Sequence, residues 1–431
     1  MNPTVLGLLG ILLFVVFVIL KMPITYAMFL IGFIGVALMT SINTAFNMVS
    51  MDIYTNFSSY TLVVVPMFIW MGYLAYYSGL GTKLFNFADK MIGHFHGGIA
   101  FATQLSCALF GAICGSLPAT TATIGSIAIP EMRRYKYDMG LAAASIASGG
   151  VIGVLIPPSV VFIVYGIATE QSIGTLFKAG IIPGILLTLA NIAVIAIKAK
   201  INPKVAPAAK KSTWKERLKS MSGGLWETAV IFALAIGGLF AGWFTPSESG
   251  AIGAGGVLVI TILNRTLSWE GFKKSLRDTT NTTAMIMFMI VGATALGRFL
   301  AITRLPFVIA EWSGNLPFPP FVIMLIILLI YLIMGCFIEA LALILLTIPI
   351  FYPVVVDKLG YDPIWFGVIM VMVVGMGVIT PPVGMNVYII KNIAKDTPIE
   401  DIFKNIFSFL LALIVVVLIL LTFPQIVTFV I

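Results

Sequence analysis

The chain of 431 residues is 60% hydrophobic and only 10% charged, and its formal net charge is +8 at pH 7. This composition excludes a soluble domain and is typical of a polytopic helical membrane protein in a lipid bilayer. The basic residues fall in short loops between apolar runs, so they indicate membrane orientation and not a nucleic-acid partner. The sequence has no phosphate-binding loop, and its three cysteines and two histidines lack metal-ligand spacing. We therefore expect no enzyme activity.

The first half begins with three predicted membrane spans, at residues 4–20, 23–41 and 61–79. A polar loop without Lys or Arg is expected at 41–60. At 81–96, apolar and polar residues alternate with the period of an amphipathic helix at the membrane surface. Residues 97–132 are apolar but broken by Gly115-Ser116-Leu117-Pro118, and each arm is short for a crossing of about 20 residues. This pattern predicts a re-entrant hairpin.

The next apolar stretch, at 140–169, is interrupted by Pro157-Pro158. Two consecutive prolines remove two backbone donors, and proline disfavours helix at the residue before it. We therefore predict two half-helices joined by a few unwound residues. In a membrane, unwound backbone is tolerated only inside protein or beside a watery cavity. A span at 174–197 and a polar linker at 201–221 follow.

The second half repeats this order, with spans at 225–243, 247–264 and 280–301 and a basic loop at 265–278. An amphipathic segment at 305–315 then precedes a second hairpin at 319–356. A second broken helix around Pro381-Pro382, at 361–390, and a last span at 402–430 follow. The second hairpin breaks at 335–339. Three residues of the first half have counterparts at one constant offset: Gly111 and Gly335, Thr123 and Thr347, Pro157 and Pro381. We therefore predict an internal repeat, with halves at 1–200 and 222–431.

The number of crossings predicts how the halves are related. Each half has five full spans because a hairpin crosses nothing, and an odd number makes the repeats inverted. A cytoplasmic linker then leaves both termini in the periplasm. Of the 25 Lys and Arg residues, only Lys178, Arg304 and Lys358 fall outside, with Arg298 near the outer end of a span. The two hairpin tips then meet near the midplane, and matched interrupted spans indicate a transporter's binding site.

The first hairpin tip is small and rich in hydroxyl groups. Ser116 is placed to cap the returning half-helix, and the amides exposed there suit an anion. Carbonyls freed over residues 153–157 suit a hard cation such as Na⁺. For Thr121 and Thr123, close helix packing is favoured over a role in the site.

The second tip holds Glu339, the only acidic residue deep inside an apolar hairpin. A charge at the centre of a span costs about 2.5–3.5 kcal/mol, so it needs a compensating role. Glu339 either accepts amide hydrogen bonds that order the tip, contacts a polar substrate, binds Na⁺ or is protonated. Thr380 and Asn386 flank the second break and offer further oxygens, although a helix–helix hydrogen bond explains Asn386 equally well. Arg298 invites a carboxylate-binding role but can snorkel to the membrane surface.

Four stretches of the chain, at 115–116, 153–159, 245–251 and 377–383, resemble the large membrane subunit (M, or DctM-like) of tripartite ATP-independent periplasmic (TRAP) transporters. The resemblance implies an elevator-type transporter driven by Na⁺, in which hairpins and broken helices move against scaffold helices. It also implies two partners, a small four-helix Q subunit in the membrane and a soluble periplasmic P protein that delivers an organic acid.

The resemblance also implies two Na⁺ sites, each where a hairpin tip meets its broken helix. Carried over by position, these are Ser116 with Gly153 and Pro157, and Gly335 with Gly377 and Thr380. The substrate region carries over to Ser116, Ser159 and Glu339, to which we add Asn386.

We therefore predict Na⁺-coupled secondary active uptake of a small organic anion, a carboxylate or a sulfonate, across the bacterial inner membrane. Two alternatives stay open. One is a stand-alone carboxylate symporter of the same superfamily, coupled to Na⁺ or to H⁺. The other is a non-transporting subunit of a membrane respiratory complex.

Overall fold

A computed structural model describes residues 2–429, except for the side chain of Ser222. Every regular element in this range is helical, which confirms the predicted all-α fold. Within it, seven helices are long and apolar enough to cross a membrane, and shorter apolar helices of 10–17 residues accompany them. The chain therefore has the helices of a multi-span membrane protein.

Ten helices precede the linker. They are α1 (Pro3–Ile19), α2 (Ile24–Met39), α3 (Ile42–Phe57), α4 (Val64–Tyr77), α5 (Leu80–Ile92), α6 (Gly98–Cys114), α7 (Leu117–Arg134), α8 (Met139–Ile152), α9 (Val160–Ala168) and α10 (Ile173–Ile201).

The first of the remaining helices lies within the linker, and the others follow it. They are α11 (Trp214–Ser220), α12 (Trp226–Phe232), α13 (Gly238–Phe240), α14 (Pro246–Leu263), α15 (Trp269–Ile302), α16 (Leu305–Gly314), α17 (Pro320–Gly335), α18 (Ala340–Tyr352), α19 (Pro363–Gly377), α20 (Met385–Ile393), α21 (Ile399–Thr422) and α22 (Gln425–Thr428). Wider, π-helical turns occur at Ala233–Gly237 and Pro353–Lys358, and the chain is kinked at Gly223 and Gly224, whose backbone angles are not helical.

Both hairpins and both broken helices occur where the sequence predicts them. Helices α6 and α7 meet at Gly115 and Ser116, and α17 and α18 meet across residues 336–339. The breaks between α8 and α9 and between α19 and α20 contain the two Pro-Pro pairs. The inverted orientation of the halves and the boundaries at 1–200, 201–221 and 222–431 stay predictions.

The expected polar loop at 41–60 was wrong, because most of it is the helix α3. Ser41 begins this helix, and its Oγ accepts a hydrogen bond from the Thr44 amide at 3.1 Å. Ala45, Val49 and Asp52 recur at helical spacing on the buried face. The polar residue Asp52 lies among them because Arg298 pairs with it, and this long-range contact leaves no local signal in the sequence.

The expected basic loop at 265–278 was also wrong from Trp269 onward, where α15 begins. Ser268 caps this helix by accepting a hydrogen bond from the Gly271 amide at 3.0 Å. Glu270 and Lys274 form an i,i+4 pair at 2.8 Å in its first turns. The polar linker likewise contains the short helix α11, which a capping box between Thr213 and Glu216 begins.

Helix contacts between the two halves occur in reciprocal pairs, in which the repeat counterparts of two contacting helices also contact each other. Helix α2 packs against α15, while α14, its counterpart in the repeat order, packs against α4. The hairpin helix α7 contacts α20, and its counterpart α18 contacts α9. In the same way α8 contacts α21, and α19 contacts α10. Each half therefore completes the environment of the other half's hairpin and broken helix.

Two matched glycine pairs bring each hairpin against its broken helix. A Cβ built on Gly111 of α6 would lie 2.6 Å from the Cα of Gly153. A Cβ built on Gly377 would likewise lie 2.6 Å from the Cα of Gly335 of α17. Real side chains do not approach backbone this closely, so glycine at these positions permits the contact.

Candidate functional site

Each Pro-Pro pair lies in the short unwound segment of its broken helix. The peptide bonds Pro157–Pro158 and Pro381–Pro382 are both cis. Beyond the first pair, Ser159 begins α9, and its Oγ accepts a hydrogen bond from the Phe162 amide at 3.2 Å. Beyond the second pair, the chain re-enters helix at Gly384, whose φ of +62° suits glycine.

The tip of the first hairpin is fixed to the first break by backbone contacts. The amide of Val160 donates to the carbonyl of Gly115 at 3.2 Å. Gly115 has a φ of +60°, and a Cβ at this position would lie 2.2 Å from the carbonyl oxygen of Pro158. Both its conformation and its surroundings therefore require glycine. The tip and the unwound segment form one unit.

Ser116 is the residue that begins α7, as predicted, but its hydroxyl makes no capping hydrogen bond. Its carbonyl accepts the Thr120 amide at 3.0 Å, while the half-buried side chain lines a cavity. The predicted position was correct and the predicted hydrogen bond was wrong. The hydroxyl and the amides of Leu117 and Ala119 are thus left to interact with a ligand, whereas Pro118 between them has no amide hydrogen.

At the second tip, Glu339 begins α18 and caps it. Its Oε2 accepts hydrogen bonds from the amides of Leu341 at 3.1 Å and Ala342 at 3.2 Å. Among the four roles that the sequence left open, the structure shows this one. Oε1 accepts no hydrogen bond from any residue in the described range, and Glu339 lines the same cavity as Ser116. The carboxylate therefore has one oxygen for the tip and one free for a ligand.

The central cavity has a volume of about 120 Å³ and joins the two hairpin tips. Helices α4 and α15 close it from the opposite side, where the Tyr73 hydroxyl and Thr282 Oγ1 are hydrogen-bonded at 2.9 Å. Its lining is mostly apolar, with a few polar side chains among the lining residues. This is the form of a small-molecule site. The polar side chains that line it are those of Tyr73, Tyr76, Ser116, Thr282 and Glu339.

The first predicted cation position combines unwound carbonyls with an unpaired hydroxyl. Within the described residues, no hydrogen bond reaches the carbonyls of Gly153 or Pro157. The fully buried Oγ1 of Thr120 has no oxygen or nitrogen partner and only the Cys114 thiol beside it, and a Cβ on Gly153 would lie 2.5 Å from it. Oxygen donors of this kind fit a hard cation. We did not single out Thr120 from the sequence, although its position one turn after Ser116 places both on one helical face.

The second predicted cation position fits a cation less well. Gly335 and Gly377 are in close contact, as described above. However, the Gly377 carbonyl accepts the Thr380 amide at 3.0 Å, and Thr380 Oγ1 donates to the Met376 carbonyl at 2.7 Å. The one buried side-chain oxygen near this break that lacks a partner in the described chain is Oδ1 of Asn386, whose own amide donates to the Val378 carbonyl at 3.0 Å.

The other predicted substrate ligands lie outside the central cavity. Ser159 is fully buried and serves as the cap of α9. Asn386 is also fully buried, and its Nδ2 donates to the Ala147 carbonyl at 3.0 Å, which joins α20 to α8. Its Oδ1 has no hydrogen-bond partner in the described chain. The helix–helix role of Asn386 is therefore the one the structure shows.

Three side chains with other predicted roles are occupied by structural contacts. Arg298 pairs with Asp52 at 2.6 Å and does not line the cavity. The hydroxyl groups of Thr121 and Thr123 donate to the carbonyls one turn earlier in α7, at 3.0 and 2.7 Å. These hydrogen bonds agree with their expected role in helix packing.

Known proteins match this chain over most of its length. The family model described as "Tripartite ATP-independent periplasmic transporter, DctM component" matches residues 11–426. The C4-dicarboxylate TRAP transporter large permease protein DctM of Pseudomonas aeruginosa is 36% identical over 368 residues, 85% of each chain. The sialic acid TRAP transporter large permease protein SiaM of Vibrio cholerae is 32% identical over 407 residues, 94% of this chain and 93% of that protein.

A third relative and one solved structure extend the comparison. The isethionate TRAP transporter permease protein DctMQ of Oleidesulfovibrio alaskensis is 36% identical over 379 residues, 86% of this chain and 58% of that protein. The crystal structure of the YdaH transporter of Alcanivorax borkumensis covers 98% of both chains with a TM-score of 0.64. At 14% sequence identity, this last match concerns the fold alone.

Proposed function

The chain belongs to the DctM component family of TRAP transporters, and on this premise we propose that it mediates Na⁺-coupled uptake of a small organic anion. As a member of this family it is a transporter subunit of the inner membrane and not an enzyme. The observation that carries the proposal is the meeting of Ser116 and Glu339, from opposite halves of the chain, at one cavity.

An organic anion suits the named relatives and the first hairpin tip. C4-dicarboxylate, sialic acid and isethionate, in the names of three relatives, are carboxylates or a sulfonate. In this chain, the amides at the start of α7 and the Ser116 hydroxyl offer donors to such a group. We propose that the substrate's acidic group binds there and that Tyr73, Tyr76 and Thr282 contact the rest of the molecule.

The charge of the cavity supports coupling to a cation. Among the described residues that line it there is one carboxylate, Glu339, and no Lys or Arg. Two like charges 4 Å apart repel by about 4 kcal/mol at an effective dielectric constant of 20. A bound cation beside the anion offsets this repulsion. We propose that Na⁺, as cargo, binds where Thr120 Oγ1 and the carbonyls of Gly153 and Pro157 converge, with Ser116 at its edge.

We propose a second Na⁺ near Gly335, Gly377 and Thr380, on the ground of the repeat. Two Na⁺ with one monovalent anion carry one net positive charge inward. That charge gains about 2.3 kcal/mol per 100 mV of membrane potential, in addition to the Na⁺ gradient. Transport then requires an elevator movement of the hairpins and broken helices against the remaining helices. In this orientation the linker is cytoplasmic and both termini are periplasmic.

We propose two protein partners, a small Q subunit in the membrane and a soluble P protein in the periplasm. Reconstitution of the chain with Q into proteoliposomes tests both the partners and the coupling ion. We expect uptake of labelled succinate, sialic acid or isethionate only with the cognate P protein and an inward Na⁺ gradient. Uptake without any P protein would favour a stand-alone symporter. Equal uptake with K⁺ in place of Na⁺ would refute Na⁺ coupling.

A further inference from the structure

Two more cavities lie beyond the central cavity along α15. The middle cavity, of about 260 Å³, is lined by residues of α15, α18 and α9 and by Asn56 of α3. The outer cavity, of about 510 Å³, is lined by residues of α15, α16 and the end of the second hairpin. It reaches the side of the protein that carries Arg304 and Lys358, and the acidic residues Glu311 and Asp357 line it beside these two basic ones. The three cavities therefore lead from the hairpin tips to one surface of the molecule.

The cavities share one face of α15. Ile286 lines the central cavity, Ile290 and Thr294 line the middle cavity, and Ala301 lines the outer cavity. Successive residues of this set are separated by one or two helical turns, which places them on a single face. A continuous stripe of α15 thus forms one wall along the whole length.

The opposite wall is formed by elements of the candidate site. On α18, Leu341 lines the central cavity, Leu345 lines the middle one, and Pro349 lines both the middle and the outer one. On α9, Val161 and Val164 line the central and middle cavities. One wall therefore belongs to the hairpin and broken helix, and the other to α15, which packs against α2 and α4.

The middle and outer cavities meet at Gly297 and Pro349, which line both of them. A Cβ built on Gly297 would lie 3.6 Å from Cγ of Pro349, which is ordinary van der Waals contact. An alanine would therefore fit at Gly297, whereas a larger side chain would fill the junction. The polar side chains of the middle cavity are Asn56 and Thr294. The Thr294 hydroxyl donates to the Ile290 carbonyl at 2.9 Å, whereas Asn56 Nδ2 donates one proton to the Asp52 carbonyl at 2.8 Å and keeps a second for an anion in passage.

We propose that the substrate passes between the central cavity and the surface carrying Arg304 and Lys358 along this face of α15. Gly297 and Pro349 form the junction between the middle and outer cavities, and a bulky side chain at Gly297 closes this junction to the anion. In the orientation proposed above, this surface is periplasmic. The inference rests on the proposed function for the identity of the cargo, while the route itself follows from the alignment of the cavities.

Thiol labelling tests the route without any transport measurement. The probe is the anionic, membrane-impermeant reagent 2-sulfonatoethyl methanethiosulfonate, added to spheroplasts that contain the full chain and its Q partner. The native thiols of Cys107 and Cys336 are buried outside the three cavities, but Cys114 lines the central one, so every protein compared carries Cys114→Ser and that variant alone gives the background. We expect Thr294→Cys to react at least tenfold faster than Gly255→Cys. Gly255 is the matched control because it lies on α14, outside the three cavities.

Side chains of increasing size at Gly297 test the junction between the middle and outer cavities. We expect uptake within twofold of wild type for Gly297→Ala and at least tenfold lower for Gly297→Trp. Gly255→Trp should transport normally, because no atom lies within 4 Å of a Cβ built there. Wild-type uptake by Gly297→Trp, or labelling of Thr294→Cys no faster than that of Gly255→Cys, would overturn the inference. Failure of Na⁺-coupled uptake alone would leave the labelling pattern intact, so the two proposals fail separately.

Discussion

Replacing Thr120 with valine exchanges its unpaired, fully buried hydroxyl for a methyl group of nearly the same shape. If this hydroxyl binds Na⁺, the variant loses a ligand of the ion. If it binds nothing, the variant only loses an unsatisfied polar atom. The two cases differ in how stability responds to Na⁺.

Thr120→Val should raise the free energy of unfolding in the absence of Na⁺ and lower the stabilisation that Na⁺ provides. A buried polar group without a partner costs about 1–3 kcal/mol. In Na⁺-free buffer, the free energy of unfolding of Thr120→Val should therefore equal that of wild type or exceed it by up to about 3 kcal/mol. Contacts of a polar group with a charge contribute about 1.5–3 kcal/mol. The apparent affinity for Na⁺ should accordingly fall about 10- to 150-fold.

Thermal unfolding of the purified protein against Na⁺ concentration measures both quantities, with choline as the replacement cation. A bound ion stabilises the folded state by RT ln(1 + [Na⁺]/Kd), so the Thr120→Val curve should move to higher Na⁺. Thr123→Val is the matched control, because its hydroxyl is satisfied by the Ala119 carbonyl at 2.7 Å. It should lose about 0.5–1.5 kcal/mol and keep its Na⁺ response. An unchanged Na⁺ response in Thr120→Val would refute the proposed ligand.

Four further substitutions test the roles of Glu339, Gly377 and the Asp52–Arg298 pair. Glu339→Gln keeps an acceptor for the amides of α18 but removes the charge, so we expect folded protein with uptake at least tenfold lower than wild type. Wild-type uptake by this variant would show that Glu339 only caps α18. Gly377→Ala places a Cβ 2.6 Å from the backbone of Gly335, so thermal unfolding should show a loss of about 1–3 kcal/mol, and an unchanged transition would contradict this contact. Asp52→Asn breaks the ion pair with the half-exposed Arg298, so thermal unfolding should show a loss of about 0.5–2 kcal/mol while substrate affinity stays unchanged. If Arg298→Lys instead weakens substrate binding and leaves stability unchanged, Arg298 takes part in substrate recognition.

The hairpins and breaks were predictable because their causes are local. Pro157-Pro158 and Pro381-Pro382 remove backbone donors within an apolar stretch, and this effect does not depend on what surrounds them. Glu339 was identifiable for a related reason, since a lone acid in an apolar hairpin requires compensation. The structure supplies that compensation through the two amides of α18.

The errors concern contacts between residues far apart in the chain. The sequence of α3 is polar and therefore predicts a loop, and only the distant Arg298 explains why Asp52 lies on the buried face of this helix. Asn386 was assigned to substrate although it bonds to Ala147, 239 residues away. Thr120 was overlooked because neighbouring threonines look alike in sequence. Only the fold shows which hydroxyl has a carbonyl partner and which has none.

Simultaneous measurement of Na⁺ and substrate fluxes in the same proteoliposomes tests the central claim most directly. The vesicles would contain the chain with its Q subunit, and labelled substrate, its P protein and ²²Na⁺ would be supplied outside. We predict that substrate uptake brings Na⁺ with it, at two ions for each monovalent anion, and that an inside-negative potential accelerates both fluxes. Substrate uptake with no accompanying Na⁺ flux would contradict the account.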